Sequence, residues 1–224
     1  GPMAQVEQKS IGQDESSPWH LIWAEEFDGA EIDESNWTHQ VFAGVHSGNN
    51  ELQHYTARPV NSYIDDGRLV IKAIREDYKD HEFTSARLTT AGNFAFRYGR
   101  VEARIKLPST KGIWPAFWMM PEDSVYGGWP HSGEIDIVES VNTADEVYGT
   151  IHYGNPGHVH QGNPYQLPQS GEEQPLFSED YHIYAIEWEP GEIRWYVDGN
   201  HFSTQNEWSS VKAPFPAPFD REFH

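Results

Sequence analysis

A chain of 224 residues is long enough to bury a sizeable core and short enough to be a single all-β domain. Fifteen Lys and Arg stand against 35 Asp and Glu, a formal charge of −20, so nucleic acid, an anionic membrane or a sulfated polymer is repelled and a neutral polymer fits best. The lack of cysteine removes disulfides and thiolate chemistry, and no apolar run approaches the roughly eighteen residues of a membrane-spanning helix.

In chain order, Gly1–Met3 reads as the remnant of a protease cleavage. Residues 1–18 as a whole read as a disordered polar N-terminus with no apolar signal-peptide core. Residues 19–224 then carry short strand signals bounded by turn residues. These fall at 20–27, 68–76, 83–90, 98–108, 112–121, 134–140, 146–154, 181–191 and 192–202. Pro190 and Gly191 predict a hairpin between the last two. Residues 77–82 and 154–175 read as loops, the second long enough to suspect of function. The pattern predicts a β-sandwich or barrel. Nine Trp, eleven Tyr and eleven Phe are more aromatics than a core needs. Several sit beside Gly and Pro, as in "GIWPAFW" (112–118) and "GGWPHSG" (127–133), a placement that predicts loops bearing exposed rings.

The stretch "SGEIDIVES" (132–140) sets Glu134, Asp136 and Glu139 into a strand of Ile135, Ile137 and Val138. Strict alternation places Glu134 and Asp136 on one face and Glu139 on the other. A β-bulge between Asp136 and Glu139 would bring all three to one surface. Paired carboxyl groups can serve as nucleophile and general acid at a glycosidic bond, and a third carboxylate between them would raise a neighbour's pKa by like-charge repulsion or share a proton with it, helping to hold the acid protonated. The plainer readings are a calcium site or the wet face of an edge strand. Twelve histidines, above all His158 and His160 in "HVH", invite a zinc reading. No third ligand keeps a metalloenzyme spacing, so these two read as loop residues.

"GEIDIVE" (133–139) resembles the catalytic signature of the family-16 glycoside hydrolases in its bulged Glu-x-Asp-x-x-Glu form. "WAEEFDG" (23–29), "NNELQHY" (49–55), "TSARL" (84–88), "YGRVEARIKLP" (98–108), "GIWPAFWMMP" (112–121), "GTIHYG" (149–154) and "YHIYAIEWEPGEIRWYVDG" (181–199) resemble bacterial endo-β-1,3-glucanases of that family in order and spacing. The resemblance implies an all-β, concanavalin-like jelly-roll sandwich with a concave substrate cleft. It implies a retaining endo-hydrolase of β-1,3-glucan (laminarin) or mixed-linkage β-1,3/1,4-glucan, secreted or extracellular. Agarase or another galactan hydrolase, and a non-catalytic glucan-binding module, are the alternatives; intact Glu134 and Glu139 speak against the last.

Carried over residue by residue, Glu134 is the implied nucleophile, Asp136 its modulating partner and Glu139 the acid/base. Asn50 and Arg87 are implied to bind sugar hydroxyls, Trp114 to line the negative subsites and His152 to lie near the acid/base. Trp129, read from its Gly/Pro loop, is a sugar platform, whereas Trp118 reads as core. Catalysis needs no cofactor. A structural calcium ion is implied at Glu26 and the carbonyl of Gly67. The family ordinarily continues beyond a stretch like "APFPAPFDREFH" (213–224) through two more strands. The resemblance therefore implies a domain over 19–224 that is incomplete at its C-terminus, or one completed by a second chain.

Overall fold

The computed structural model describes residues 3–9 and 18–224. Among them the chain is nearly all β, with one short 3-10 turn at Gly44–Ser47, and no helix is long and apolar enough to cross a membrane. It falls into two units, one made of the described residues up to Glu25 together with Phe96–Phe223, the other of Glu26–Ala95 with His224. In chain order the first unit opens with β1 (Ala4–Lys9) and β2 (Trp19–Glu25). The second holds β3 (Thr38–His39), β4 (Gln53–Tyr55), β5 (Ser62–Asp65), β6 (Arg68–Ile71), β7 (Ile74–Tyr78), β8 (His81–Ser85) and β9 (Leu88–Thr89). The first resumes with β10 (Gly99–Ile105), β11 (Ala116–Met119), β12 (Glu134–Glu139), β13 (Val147–Gly154), β14 (His158–Tyr165), β15 (His182–Glu189), β16 (Glu192–Val197) and β17 (Asn200–Gln205).

The first unit contains a six-stranded sheet in the order β17-β16-β15-β10-β1-β2 and a four-stranded sheet in the order β11-β12-β13-β14. Period-two alternation builds both. In β16, Ile193, Trp195 and Val197 are buried while Glu192, Arg194 and Tyr196 are not. The sheets meet through that apolar face. Trp195 is fully buried, its Nε1–H donates to the main-chain carbonyl of Asp136 at 2.9 Å, and its ring lies against Gly149. Farther along, Asn163 Nδ2 donates to Ser203 Oγ at 2.7 Å, tying β14 to β17. The predicted hairpin is present: Glu189 pairs with Glu192 around Pro190 and Gly191, whose φ of 80° suits the second turn position after a proline.

The second unit has three small sheets: β3-β9, β4-β8-β7 with β4 and β8 parallel, and the β5-β6 hairpin. Asp66 and Gly67, both at positive φ, make the tight turn of that hairpin. Its polar centre is Asn61, fully buried, whose Nδ2 donates to the Thr84 hydroxyl and the Lys72 carbonyl, each at 3.0 Å.

Two expectations change. Residues 1–18 do not read uniformly as a disordered N-terminus, because Ala4–Lys9 is a strand paired with β10 on one side and β2 on the other. Only Ala4 and Val6 are buried, so the segment carries little strand signal of its own and is ordered by ladders on both edges. Residues 10–17 lie outside the described residues. Residues 154–175 are not all loop either, since His158–Tyr165 pairs with β13 along its whole length. Glycine and proline conceal that strand, yet each has a place in it. Pro164 is on an edge strand, where a missing donor is tolerated, and a Cβ at Gly162 would meet the Gly149 carbonyl at 2.5 Å.

A Cβ at Gly149 would lie 2.3 Å from Trp195 Cδ1, inside the fully buried contact between the sheets. Gly149→Ala is therefore expected to lower stability by about 1–3 kcal/mol, the usual cost of overpacking a core. Urea unfolding of the two proteins measures it; an unchanged midpoint would mean that the ring moves aside freely.

Candidate active site

Register places the three acids. Across β12 and β13 the partners are Glu134 with His152, Asp136 with Thr150, and Glu139 with Tyr148, so the β13 partners step by two while the acids step by two and then by three. The extra residue is the bulge expected between Asp136 and Glu139. Pairing with β11 slips at the same point, with Trp118 opposite Asp136 and Ala116 opposite Glu139. All three carboxylates therefore share the face opposite the sheet contact, while Ile135, Ile137 and Val138 are buried.

The acids are differently housed. Asp136 is buried to 1%, whereas Glu134 and Glu139 are partly exposed. Burial pushes the Asp136 carboxyl well above the usual aspartate range, and hydrogen bonding and repulsion from Glu134 and Glu139 push in the same direction. Trp129 Nε1–H donates to Glu134 Oε1 at 3.0 Å, and Trp114 Nε1–H donates to Glu139 Oε2 at 2.8 Å. Both rings are about half exposed, at 53% and 48%. Each indole therefore holds one outer carboxylate while about half of the residue stays open to solvent. Trp118 is half-buried.

His152 lies 2.9 Å from Asp136 Oδ2 through Nε2, and that nitrogen is 3.6 Å from Glu134 Oε2. Burial lowers its pKa against the opposing pull of Glu134, and His158 and His160 lower it further. The structure therefore brings Glu134, Asp136, Glu139, Trp114, Trp129 and His152 together, and His152, expected near the acid/base Glu139, lies against Asp136 and beside Glu134, the implied nucleophile. The two indole hydrogen bonds were not foreseen, nor were His158 and His160, which border the same face from β14. His158 Nε2 is 2.8 Å from His152 Nδ1, and its ring centre is 4.7 Å from that of Trp129. The alternating "HVH" was the available signal, obscured by the glycines and prolines around it.

Asn50 and Arg87 belong to the second unit. Asn50 is exposed with φ of 54°, a left-handed conformation that asparagine tolerates, and follows Asn49, whose Nδ2 donates to Glu51 at 3.1 Å. Arg87 is half-buried with its guanidinium 5.3 Å from the Phe42 ring centre. Glu26 is exposed and Gly67 sits in the β5-β6 turn. Among the described residues neither joins a group of three or more acidic or histidine ligands, the one such group being Glu134, Asp136 and His152.

Residues 47–221 match the family described as glycosyl hydrolases family 16. The chain belongs to that family. Among curated relatives, the glucan endo-1,3-beta-glucosidase A1 of Niallia circulans is 40% identical over 92% of this chain, and the beta-glucanase of Rhodothermus marinus is 41% identical over 94%. The chain spans 33% of the first relative's length and 75% of the second's. Among solved structures, the laminarinase from Rhodothermus marinus aligns with a TM-score of 0.79 at 39% identity, covering 92% of this chain and 83% of that one. The all-β fold is thus the jelly roll of the family-16 laminarinases.

The raised pKa of Asp136 has a consequence for stability. Below the ordinary aspartate value of 3.8 the group is protonated in both folded and unfolded chains. As pH rises past that value the unfolded chain releases the proton and the folded one keeps it, so stability falls until the folded pKa is passed. Asp136→Asn removes this titration. Its melting temperature relative to the parent is expected to rise as pH increases from about 4 toward neutral. A difference independent of pH in thermal melts would show that Asp136 titrates normally.

Proposed function

We propose that this family-16 chain is a retaining endo-hydrolase of β-1,3-glucan, acting on laminarin or on mixed-linkage β-1,3/1,4-glucan. The observation that carries the reading is the bulged strand that sets Glu134 and Glu139 on one face, each held by an indole N–H. The names of the relatives supply the substrate class, and the strongly negative chain suits a neutral polymer better than a sulfated one.

In this mechanism Glu134 attacks the anomeric carbon while Glu139 gives its proton to the departing glycosidic oxygen, so that a bond from carbon to Glu134 replaces the bond to the leaving sugar. Glu139 then takes a proton from water, the water oxygen attacks the same carbon, and Glu134 leaves as a carboxylate. Two inversions give net retention. The Trp129 N–H fixes the nucleophile's orientation and lowers its need for other donors; the Trp114 N–H does the same for the acid/base. Asp136, whose burial favours the protonated form, keeps a second negative charge from building up beside the attacking Glu134. His152 caps Asp136 from β13. The exposed faces of Trp114 and Trp129 suit the apolar faces of pyranose rings.

Glu134→Ser is expected to reduce reducing-end release from laminarin by more than about a hundredfold, while calorimetry still detects binding of laminarin oligosaccharides. Proton NMR of the parent enzyme's fresh products is expected to show the β-anomer first. Initial α-anomer would mean inversion and remove the covalent step. Release from agarose or carrageenan in preference to laminarin and lichenan would move the substrate to a galactan.

A further inference from the structure

His158 and His160 take no part in the proposed hydrolysis, yet they stand against its centre. Glu134, His152 and His160 are directly opposite one another across β12, β13 and β14, and residues paired in this way project from the same face. His158, two residues before His160 on β14, shares that face. Three imidazoles thus gather at one spot. Their ring centres are 5.1 Å apart for His152 and His158, 5.7 Å for His158 and His160, and 6.0 Å for His152 and His160.

We propose that His152, His158 and His160 form a binding site for one divalent transition-metal ion of the zinc, nickel or copper class. Imidazole nitrogens are the donors these ions favour, at about 2.0–2.1 Å, and tetrahedral bonding at that length separates two ligand nitrogens by about 3.3 Å and their ring centres by about 5 Å. The first pair is nearly formed. His152 Nδ1 and His158 Nε2 face each other at 2.8 Å, and opening that contact by about half an ångström admits the ion in place of the shared proton. His160 supplies the third donor by turning its side chain, which its exposure permits. Solvent fills the fourth position.

The surroundings favour a cation. Glu134 is the cross-strand neighbour of His152 on the side away from His160, and the whole chain carries a net charge of −20. The Trp129 ring, tilted at 48° to that of His158, packs beside the second ligand and limits its rotation. The grouping of Glu134, Asp136 and His152 is the competing arrangement. It is less suited to this metal class, because it offers one imidazole where the other offers three, and its Asp136 is buried. The binding claim does not rest on the hydrolytic reading.

Calorimetric titration of the full chain with zinc chloride in a non-chelating buffer tests it. One saturable site with a micromolar dissociation constant is expected, with His158→Phe and His160→Gln each weakening it at least tenfold and the double variant abolishing it. His158→Phe keeps an aromatic ring beside Trp129 while removing the ligand, and circular dichroism of each variant confirms its fold. Glu134→Gln and Asp136→Asn are expected to weaken zinc binding less than either histidine variant does. Absence of saturable binding below millimolar zinc, parental affinity in the double histidine variant, or loss of binding in the carboxylate variants with the histidine variants unaffected would each overturn the site.

Discussion

Where β12 runs between β11 and β13, its pairing slips by one residue against both neighbours, and the acidic face depends on that slip. A regular strand would send Glu139 toward the buried contact with the six-stranded sheet, where an ionised carboxylate has no compensating partner and costs several kcal/mol. The bulge absorbs one residue and returns Glu139 to the wet side. It is held in place from behind. The Asp136 carbonyl, at the start of the slip, accepts the Trp195 indole N–H, and Trp195 is fully buried. The core of the two-sheet unit thereby fixes where the acids stand.

Once three carboxyl groups share a face, electrostatics requires that they differ. The central one is the most buried and is flanked by the other two, so it keeps its proton most readily. The outer two are partly exposed, and each has its own indole donor. A single strand thus separates three carboxyl groups into a buried one that holds its proton more tightly than an ordinary aspartate and two that accept indole hydrogen bonds. His152 adds a further restraint from the neighbouring strand. Its neutral form is favoured by burial, with the nearby imidazoles acting in the same sense against the pull of Glu134.

Both tryptophans have two uses that follow from the shape of indole. The N–H edge is directed inward to a carboxylate, while half of each residue's surface remains open to solvent. An aromatic residue whose N–H edge also holds a carboxylate couples occupancy of its exposed surface to the orientation of that carboxylate. The same economy of placement holds on β14, where short alternation puts two histidines beside Trp129 and His152.

Much of this was written in local sequence, because local rules suffice for it. Alternation in 134–140 and 192–197 and Pro190–Gly191 as a turn marked the strands and the hairpin from residue types alone, while three acids in six positions only raised a bulge as the way to one face, which the family resemblance favoured. The exposed setting of Trp114 and Trp129 was legible from the Gly and Pro around them. Other features have no local signature. Ala4–Lys9 is a strand because two distant partners, β2 and β10, supply its ladders. His158–Tyr165 is a strand despite its glycine and proline because β13 offers a complete register and the edge position forgives Pro164. The indole hydrogen bonds to Glu134 and Glu139 join residues whose meeting depends on loop paths, and the three-histidine cluster joins two strands. Sequence determined which residues have the chemistry, since that lies in side-chain type and nearest-neighbour spacing; only the tertiary structure decided which of them meet, since hydrogen bonds and ring contacts depend on cross-strand register and on backbone approach through space.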